Sequence, residues 1–184
     1  MRNYFLEGDR IALRVIQEKD IKKLVKWRNQ EASRQTMTPR IPVTFESVLS
    51  WSSERPDKKH PTNVMFAIEI KKTRKLIGTI SISGIDYVNR IATTGTSIGL
   101  KKHQGKGYGT EAKELLLRYA FHTLNLRRIY SHVYSTNKVS QRYAEKSGYM
   151  LEAVLKKERW VDGQYVDNLI FVITKKRWMR LQKK

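Results

Sequence analysis

The sequence predicts one α/β domain over residues 1–184, a twisted mixed sheet of six or seven strands flanked by about four helices. Three observations predict it. Short runs rich in Ile, Val, Thr and aromatic residues recur along the chain as strands. Ala112, Leu115, Leu116, Tyr119 and Ala120 repeat at helical spacing. Between a strand-like segment and that helix stands Gln104-Gly105-Lys106-Gly107-Tyr108-Gly109-Thr110, with three glycines at alternate positions. A chain of 184 residues with 40% hydrophobic content is long enough to bury a real core.

In chain order, Ile11 to Ile16 reads as a strand, and Asp20 as the N-cap of a helix through Asn29. Thr44 caps a second helix, about Phe45 to Glu54, and the charged, proline-bearing Arg55 to Thr62 is a surface loop. Val64–Ile70 and Lys75–Ile82 are strands around the Lys71–Arg74 turn, and Thr93 to Leu100 is a weaker one. Its glycines, Gly95 and Gly99, mark a bulge or the close approach of a ligand. The helix after the glycine loop turns its apolar stripe inward and leaves Glu111, Lys113, Glu114 and Arg118 outside. Arg128–Tyr134 is a strand, and Asn137 caps a helix that stops at Gly148. Met150–Arg159 and Tyr165–Thr174 form a hairpin across Asp162-Gly163, followed by a basic tail, Lys175–Lys184.

Composition narrows the function classes. No apolar run approaches the ~20 residues of a membrane span. The charged N-terminus is unlike a signal peptide, so the expected home is the cytoplasm, with no membrane partner. Absence of cysteine excludes disulfides, thiolate metal sites and an acyl-cysteine intermediate. His60, His103, His122 and His132 show no metal-ligand spacing, and no metal is expected. With 37 Lys plus Arg against 17 Asp plus Glu, the net charge of +20 attracts polyanions and repels cationic ligands. That balance admits an acidic protein or a nucleic acid as partner, and equally a merely solvated basic surface.

The glycine loop is the most informative stretch. Glycine takes positive φ without strain and lets backbone approach a ligand closely. A run of N–H groups then converges where a helix begins, beside its unsatisfied donors and positive dipole end. Such a place holds phosphate or pyrophosphate. The spacing fits neither Gly-x-Gly-x-x-Gly nor a P-loop.

Gln104-Gly105-Lys106-Gly107-Tyr108-Gly109 resembles the Gln/Arg-x-x-Gly-x-Gly/Ala loop of the GNAT N-acetyltransferases. Asn137-Lys138-Val139-Ser140 with Glu145-Lys146-Ser147-Gly148-Tyr149 is similar to that family's Asn-x-x-Ser…Glu-Lys-x-Gly-Phe segment. Trp160-Val161-Asp162-Gly163-Gln164-Tyr165-Val166-Asp167 resembles the hairpin of its ribosomal-protein branch (RimJ/RimL type) and of the spermidine acetyltransferases.

The resemblance implies acetyl-CoA as co-substrate. Backbone N–H groups of Gln104, Gly105, Lys106, Gly107, Tyr108, Gly109 and Thr110 would take the pyrophosphate, with Lys146 nearby. Ile98, Gly99 and Leu100 would pair with the pantetheine, and Asn137 would meet its amides. Ser140 is one expected proton donor to the leaving sulfur, and Tyr143 is the other, one residue short of the tyrosine many relatives carry. Relatives place a glutamate base where Thr94 stands; Glu69, Asp86, Glu158 and Asp167 are the substitutes on offer. Trp27, Arg28, Trp51 and Asp167 are expected to line the acceptor site.

The implied function is direct acetyl transfer, in a ternary complex, to a primary amine. The best acceptor class is a protein N-terminal α-amino group of the ribosomal-protein type. Polyamines, antibiotics and amino acids form the alternative, and a basic RNA-binding protein without catalysis is the alternative of another class. A monomer or a homodimer is expected.

Overall fold

The computed structural model describes residues 4–36, 40–52 and 61–183. The predicted end of the second helix at Glu54, the loop residues 55–60 and the Trp51 side chain lie outside the described residues. The order is β1 (Leu6–Glu7), β2 (Ile11–Val15), α1 (Glu18–Arg28), α2 (Glu31–Arg34), α3 (Phe45–Ser52), β3 (Val64–Ile70), β4 (Lys75–Asp86) and β5 (Ile91–Ile98). Then follow a 3-10 turn (Lys101–His103), α4 (Tyr108–Arg118) with a π turn (Tyr119–Thr123), β6 (Arg128–Tyr134), α5 (Lys138–Lys146), β7 (Met150–Val161), β8 (Gln164–Thr174) and α6 (Lys175–Leu181).

All eight strands join one mixed sheet in the order β1-β2-β3-β4-β5-β6-β8-β7. The expected six or seven strands become eight because Leu6 and Glu7 pair with Leu13 and Ala12, a two-residue strand too short to read from periodicity. Six helices among the described residues replace the expected four. The additions are the single turn α2 and α6, the latter built from the supposed basic tail. Thr174 caps α6 by accepting the Arg177 N–H, and Trp178 is buried under it. A further correction concerns α1. Gln17 precedes the helix, and Asp20 lies in its first turn, accepting the Gln17 N–H at 2.9 Å.

One apolar core fills each face of the sheet. The larger gathers Leu13, Phe66, Ile80, Ile129 and Ile173 under α4 and α6. The smaller gathers Ile21, Leu24 and Trp27 of α1 with Val48 of α3 over Ala67 and Leu76. The β7–β8 hairpin turns at Asp162 (φ 45°) and Gly163 (φ 83°), both left-handed as a type I′ turn requires. Most of β7 is exposed, and its register slips between Leu155 and Arg159 around Lys157, whose φ is 49°.

The feature that positions the site is a fork. β5 and β6 are parallel and pair only at Ile91–Arg128, Ala92–Ile129 and Thr93–Tyr130. Beyond Thr93 they separate. β5 stays paired with β4 as far as Ile98, and β6 with β8 as far as Tyr134.

Candidate active site

The glycine loop is held open from below. Gly105 and Gly107 have φ of 71° and 82°, and Gly107 is the residue from which α4 starts. A Cβ on Gly107 would stand 3.0 Å from Arg10 Nη2, so a guanidinium already covers the loop. Arg10 donates to Glu111 Oε2 through Nε at 2.9 Å and to Lys106 O through Nη1 at 3.0 Å, and it stacks on Tyr108. Glu111 also accepts the N–H groups of Arg10 and Ile11, at 2.7 and 3.1 Å. Burial first, then Lys102, Lys106, Lys23 and Lys75, hold His103 below its ordinary range. The same four ammonium groups put positive potential at His103, just ahead of the loop. Turned N–H groups, an open glycine backbone and these cations fit a pyrophosphate.

Along the fork, the antiparallel ladder with β4 alternates residues that face β4 with residues that face away. Gly99 donates to Ile77 O at 2.9 Å, which assigns Ser97 and Gly99 to the β4 side. The N–H and C=O groups of Thr96 and Ile98 therefore point into the gap, and Gln104 Nε2 reaches Ile98 O at 3.0 Å. Gly99 is not part of that open edge. Its missing side chain makes room for Trp27, whose ring lies 2.0 Å from where a Cβ would be. Leu100 O is taken by the His103 N–H in the 3-10 turn. Trp27 is accordingly core, with Lys23 over its ring, and Arg28 is half-buried with its pKa lowered by that burial.

The start of α5 faces the same gap. Asn137 Oδ1 caps the helix by accepting the Ser140 N–H at 3.0 Å, which turns the Asn137 amide and the Ser140 side chain to one end of α5. Tyr143 reaches the fork from one turn further on. Its hydroxyl donates to Gly109 O at 3.1 Å and lies 2.9 Å from Thr96 Oγ1. Burial raises its pKa well above the ordinary phenol value. Lys146, exposed, closes the same helix.

The four candidate carboxylates separate clearly. Glu69 is fully buried and accepts Arg14 Nε at 2.6 Å, beside the Arg14–Asp20 pair at 2.6 Å and the Tyr4 hydroxyl at 3.2 Å. It braces β2, β3 and α1 and has no path to an incoming amine. Asp86 holds the β4–β5 turn through the N–H groups of Val88 and Asn89, and its pKa is lowered by the Asn89 side chain above all. Asp167 accepts the Lys157 N–H at 2.9 Å and Lys156 Nζ at 3.0 Å, and these bonds lower its pKa. It fastens the β7 bulge. Glu158 alone belongs to a polar group on the sheet face opposite Ile129 and Val133. It accepts Asn168 Nδ2 at 2.6 Å and pairs with Arg159 at 2.9 Å. Asn168 Nδ2 also lies 3.2 Å from His132 Nδ1. A donor there makes Nδ1 the acceptor and places the imidazole proton on Nε2. Burial first, then Arg159, lowers the His132 pKa, favouring that neutral form.

A cleft of about 470 Å³ opens between α2, the start of α5 and the β7–β8 turn, lined by Gln35, Thr36, Asn137, Lys138, Asp162 and Gln164. Arg40 stands nearby, donating to Trp160 O and stacking on Tyr134. Among the described residues no group of three His, Cys, Asp or Glu is placed to hold a metal, and no helix is long and apolar enough to cross a membrane.

Three residues escaped the sequence reading: Arg10, His132 and Lys113. Arg10 lies a hundred residues from the loop it covers, and nothing local signals it. His132 could have been found as the imidazole on the polar face of a strand bordering the gap. Lys113, expected outside, is 2% exposed. The helix is covered on two sides, burying Lys113 and Leu117 along with the stripe of Ala112, Leu115 and Leu116.

Comparison with known proteins agrees with this geometry. Over residues 10–150 the chain matches the family described as "Acetyltransferase (GNAT) domain". It is 27% identical over 173 residues to the uncharacterized N-acetyltransferase YoaA of Bacillus subtilis, covering 94% of this chain and 97% of that one. It is 34% identical over 94 residues to a spermidine N(1)-acetyltransferase of Vibrio cholerae, covering 51% and 54%. The crystal structure of a spermidine N-acetyltransferase from Vibrio cholerae with CoA and spermine superposes with a TM-score of 0.82 at 24% identity, over 94% of this chain and 99% of that one, which shows a common fold. The glycine loop, the fork and the family match converge: this chain belongs to the GNAT acetyltransferases and is an N-acetyltransferase.

Proposed function

We propose that the chain transfers the acetyl group of acetyl-CoA directly to the α-amino group of a polypeptide N-terminus, in a ternary complex. The observation that carries the acceptor class is the cleft at the start of α5. Among its described lining residues Asp162 is the one carboxylate, beside Lys138. A polycationic acceptor would meet few carboxylates there and a molecule of charge +20 around it. Supports for the ribosomal-protein type are the Trp160–Asp167 hairpin and that same charge, which draws in acidic protein partners.

Acetyl-CoA supplies an activated acyl group as its thioester. The loop from Gln104 to Thr110, with Arg10 over it, holds the phosphates, and the Ile98 N–H pairs with the pantetheine. Asn137, with Oδ1 spent on its cap, offers Nδ2 to the pantetheine amides. Ser140 donates its hydroxyl proton to the departing sulfur and takes one back from the attacking nitrogen as the amide forms. Glu158 takes the proton of the incoming ammonium, a task for which a base must come within hydrogen-bond reach of the amine or act through one water. His132, neutral and protonated at Nε2, orients the acceptor as a hydrogen-bond donor.

Incubating the protein and acetyl-CoA with peptides bearing free or blocked N-termini, beside spermidine, tests the reading by mass spectrometry. Acetylation confined to free α-amino groups supports it, while acetylation of spermidine alone replaces it with a small-amine function. That second reading rests on the 34% identity with a spermidine acetyltransferase.

A further inference from the structure

Lys113 is buried, and among the described residues no carboxylate pairs with it. Its ammonium nitrogen donates to Thr94 Oγ1 at 2.7 Å and lies over the rings of Tyr143 and Tyr149, at 5.5 and 5.4 Å. Thr94 Oγ1 is in turn 2.9 Å from the Tyr149 hydroxyl and 3.4 Å from Tyr130 O, which it approaches as donor. Tyr143 continues the chain to Thr96 and to Gly109 O. The network thus joins α4, α5, the segment after it, the open arm of β5 and the last paired residue of β6. Thr94 is the first residue beyond the pairing. The bolt sits at the vertex of the fork.

Among the described residues no charge faces Lys113 from the elements around it. Thr94 and Thr96 come from β5, Tyr143 from α5, and Tyr149 follows that helix. On α4 itself Glu111 is committed to Arg10. On β3 Glu69 is committed to Arg14, which also binds Asp20 at the start of α1.

We propose that Lys113 is a positioning residue of the cofactor site: it sets the opening of the fork, and it takes up a proton when acetyl-CoA binds. The inference rests on the reading that the Gln104–Thr110 loop holds the cofactor phosphates. Burial alone depresses the amine to about 7, so the ammonium and amine forms are both populated near neutral pH. Gly109 lies four residues before Lys113 on the same helix, about 6 Å along its axis. Phosphate negative charge at the helix start therefore favours the ammonium through a poorly screened interior, by on the order of one pH unit. At pH 7.5 this amounts to an uptake of about half a proton per cofactor bound. The protonated form grips Thr94 and the two aromatic faces more firmly, which stiffens β5 where the pantetheine runs.

The test is calorimetric titration with dephospho-coenzyme A, which lacks the 3′-phosphomonoester, in phosphate and in Tris buffer at pH 7.5. Wild type should show an apparent enthalpy that depends on buffer ionisation, with a slope near half a proton. Lys113→Met should bind with a slope near zero, and His103→Gln should retain the wild-type slope. Affinity of the wild type should weaken several-fold between pH 7 and pH 9, a measurement that needs no variant. Binding with no buffer dependence and no such weakening overturns the role of Lys113 and leaves the cofactor site intact. A slope that survives in Lys113→Met or disappears in His103→Gln moves the proton elsewhere and also overturns it. No binding at all removes the cofactor reading, and this inference with it.

Discussion

Arg10 and Glu111, 101 residues apart, form a two-point contact in which Nε donates to the carboxylate while the same carboxylate accepts the Arg10 N–H. The start of β2 is thereby locked to the first turn of α4, and the guanidinium is left poised over Gly107. Arg10→Gln should keep the fold and weaken acetyl-CoA binding by about tenfold, or about 1.4 kcal/mol. Exposure of the pair keeps the effect from being larger. Calorimetric affinity at two salt concentrations checks it, since the loss should shrink at high salt.

Gly99→Ala should be among the most damaging small substitutions in the chain. A Cβ there would lie 2.0 Å from the buried Trp27 ring, and ring and strand are both fixed. Overpacking of this kind costs about 3 kcal/mol, a fall of roughly 10 °C in Tm. Thermal denaturation measures it, and Trp27→Leu in the same chain should recover part of the loss.

Glu69→Gln and Glu158→Gln should fail in opposite ways. Glu69→Gln strands the buried Arg14 and should cost about 3 kcal/mol of stability, with the pH dependence of turnover unchanged. Glu158→Gln should leave Tm within about 1 °C and lower kcat about a hundredfold. Denaturation and steady-state kinetics on both variants separate brace from base.

Lys113→Met should be more stable than wild type at neutral pH. Burial pushes the folded amine down to about 7, from the ordinary lysine value of 10.5. Between those values the unfolded chain holds a proton that the folded one lacks, so wild-type stability rises with pH across that window. Below pH 7 the penalty is complete, and above the ordinary lysine range it is gone. The variant should gain about 2 kcal/mol at pH 7, after loss of the Thr94 bond, and nothing near pH 11. Denaturant unfolding at pH 7, 9 and 10.5 should show the gap closing.

Local chemistry made the framework legible. Glycines at a helix start, Asn137 before α5 and Asp162-Gly163 in the hairpin write their backbone conformations into the residues themselves. Contacts made across the fold were not legible. Gly99 signalled a close approach without saying that an indole from α1 makes it. Glu69 and Asp167 carried the right charge for chemistry, and only the partners brought to them by β2 and by the β7 bulge distinguish brace from reagent. Lys113 was hidden because one apolar stripe says nothing about a second covered side.

The slip in β7 also bears on how the sheet ends. A straight twelve-residue border with Met150, Leu151, Val154 and Leu155 exposed would present a ready template for strands of other molecules. Lys157, turned left-handed and pinned by Asp167, breaks that template and sets two ammonium groups beside the break. Asp167 thereby acts as a guard against runaway edge-to-edge assembly. Asp167→Ala, which frees the bulge, should show as turbidity at neutral pH while acetyl transfer persists.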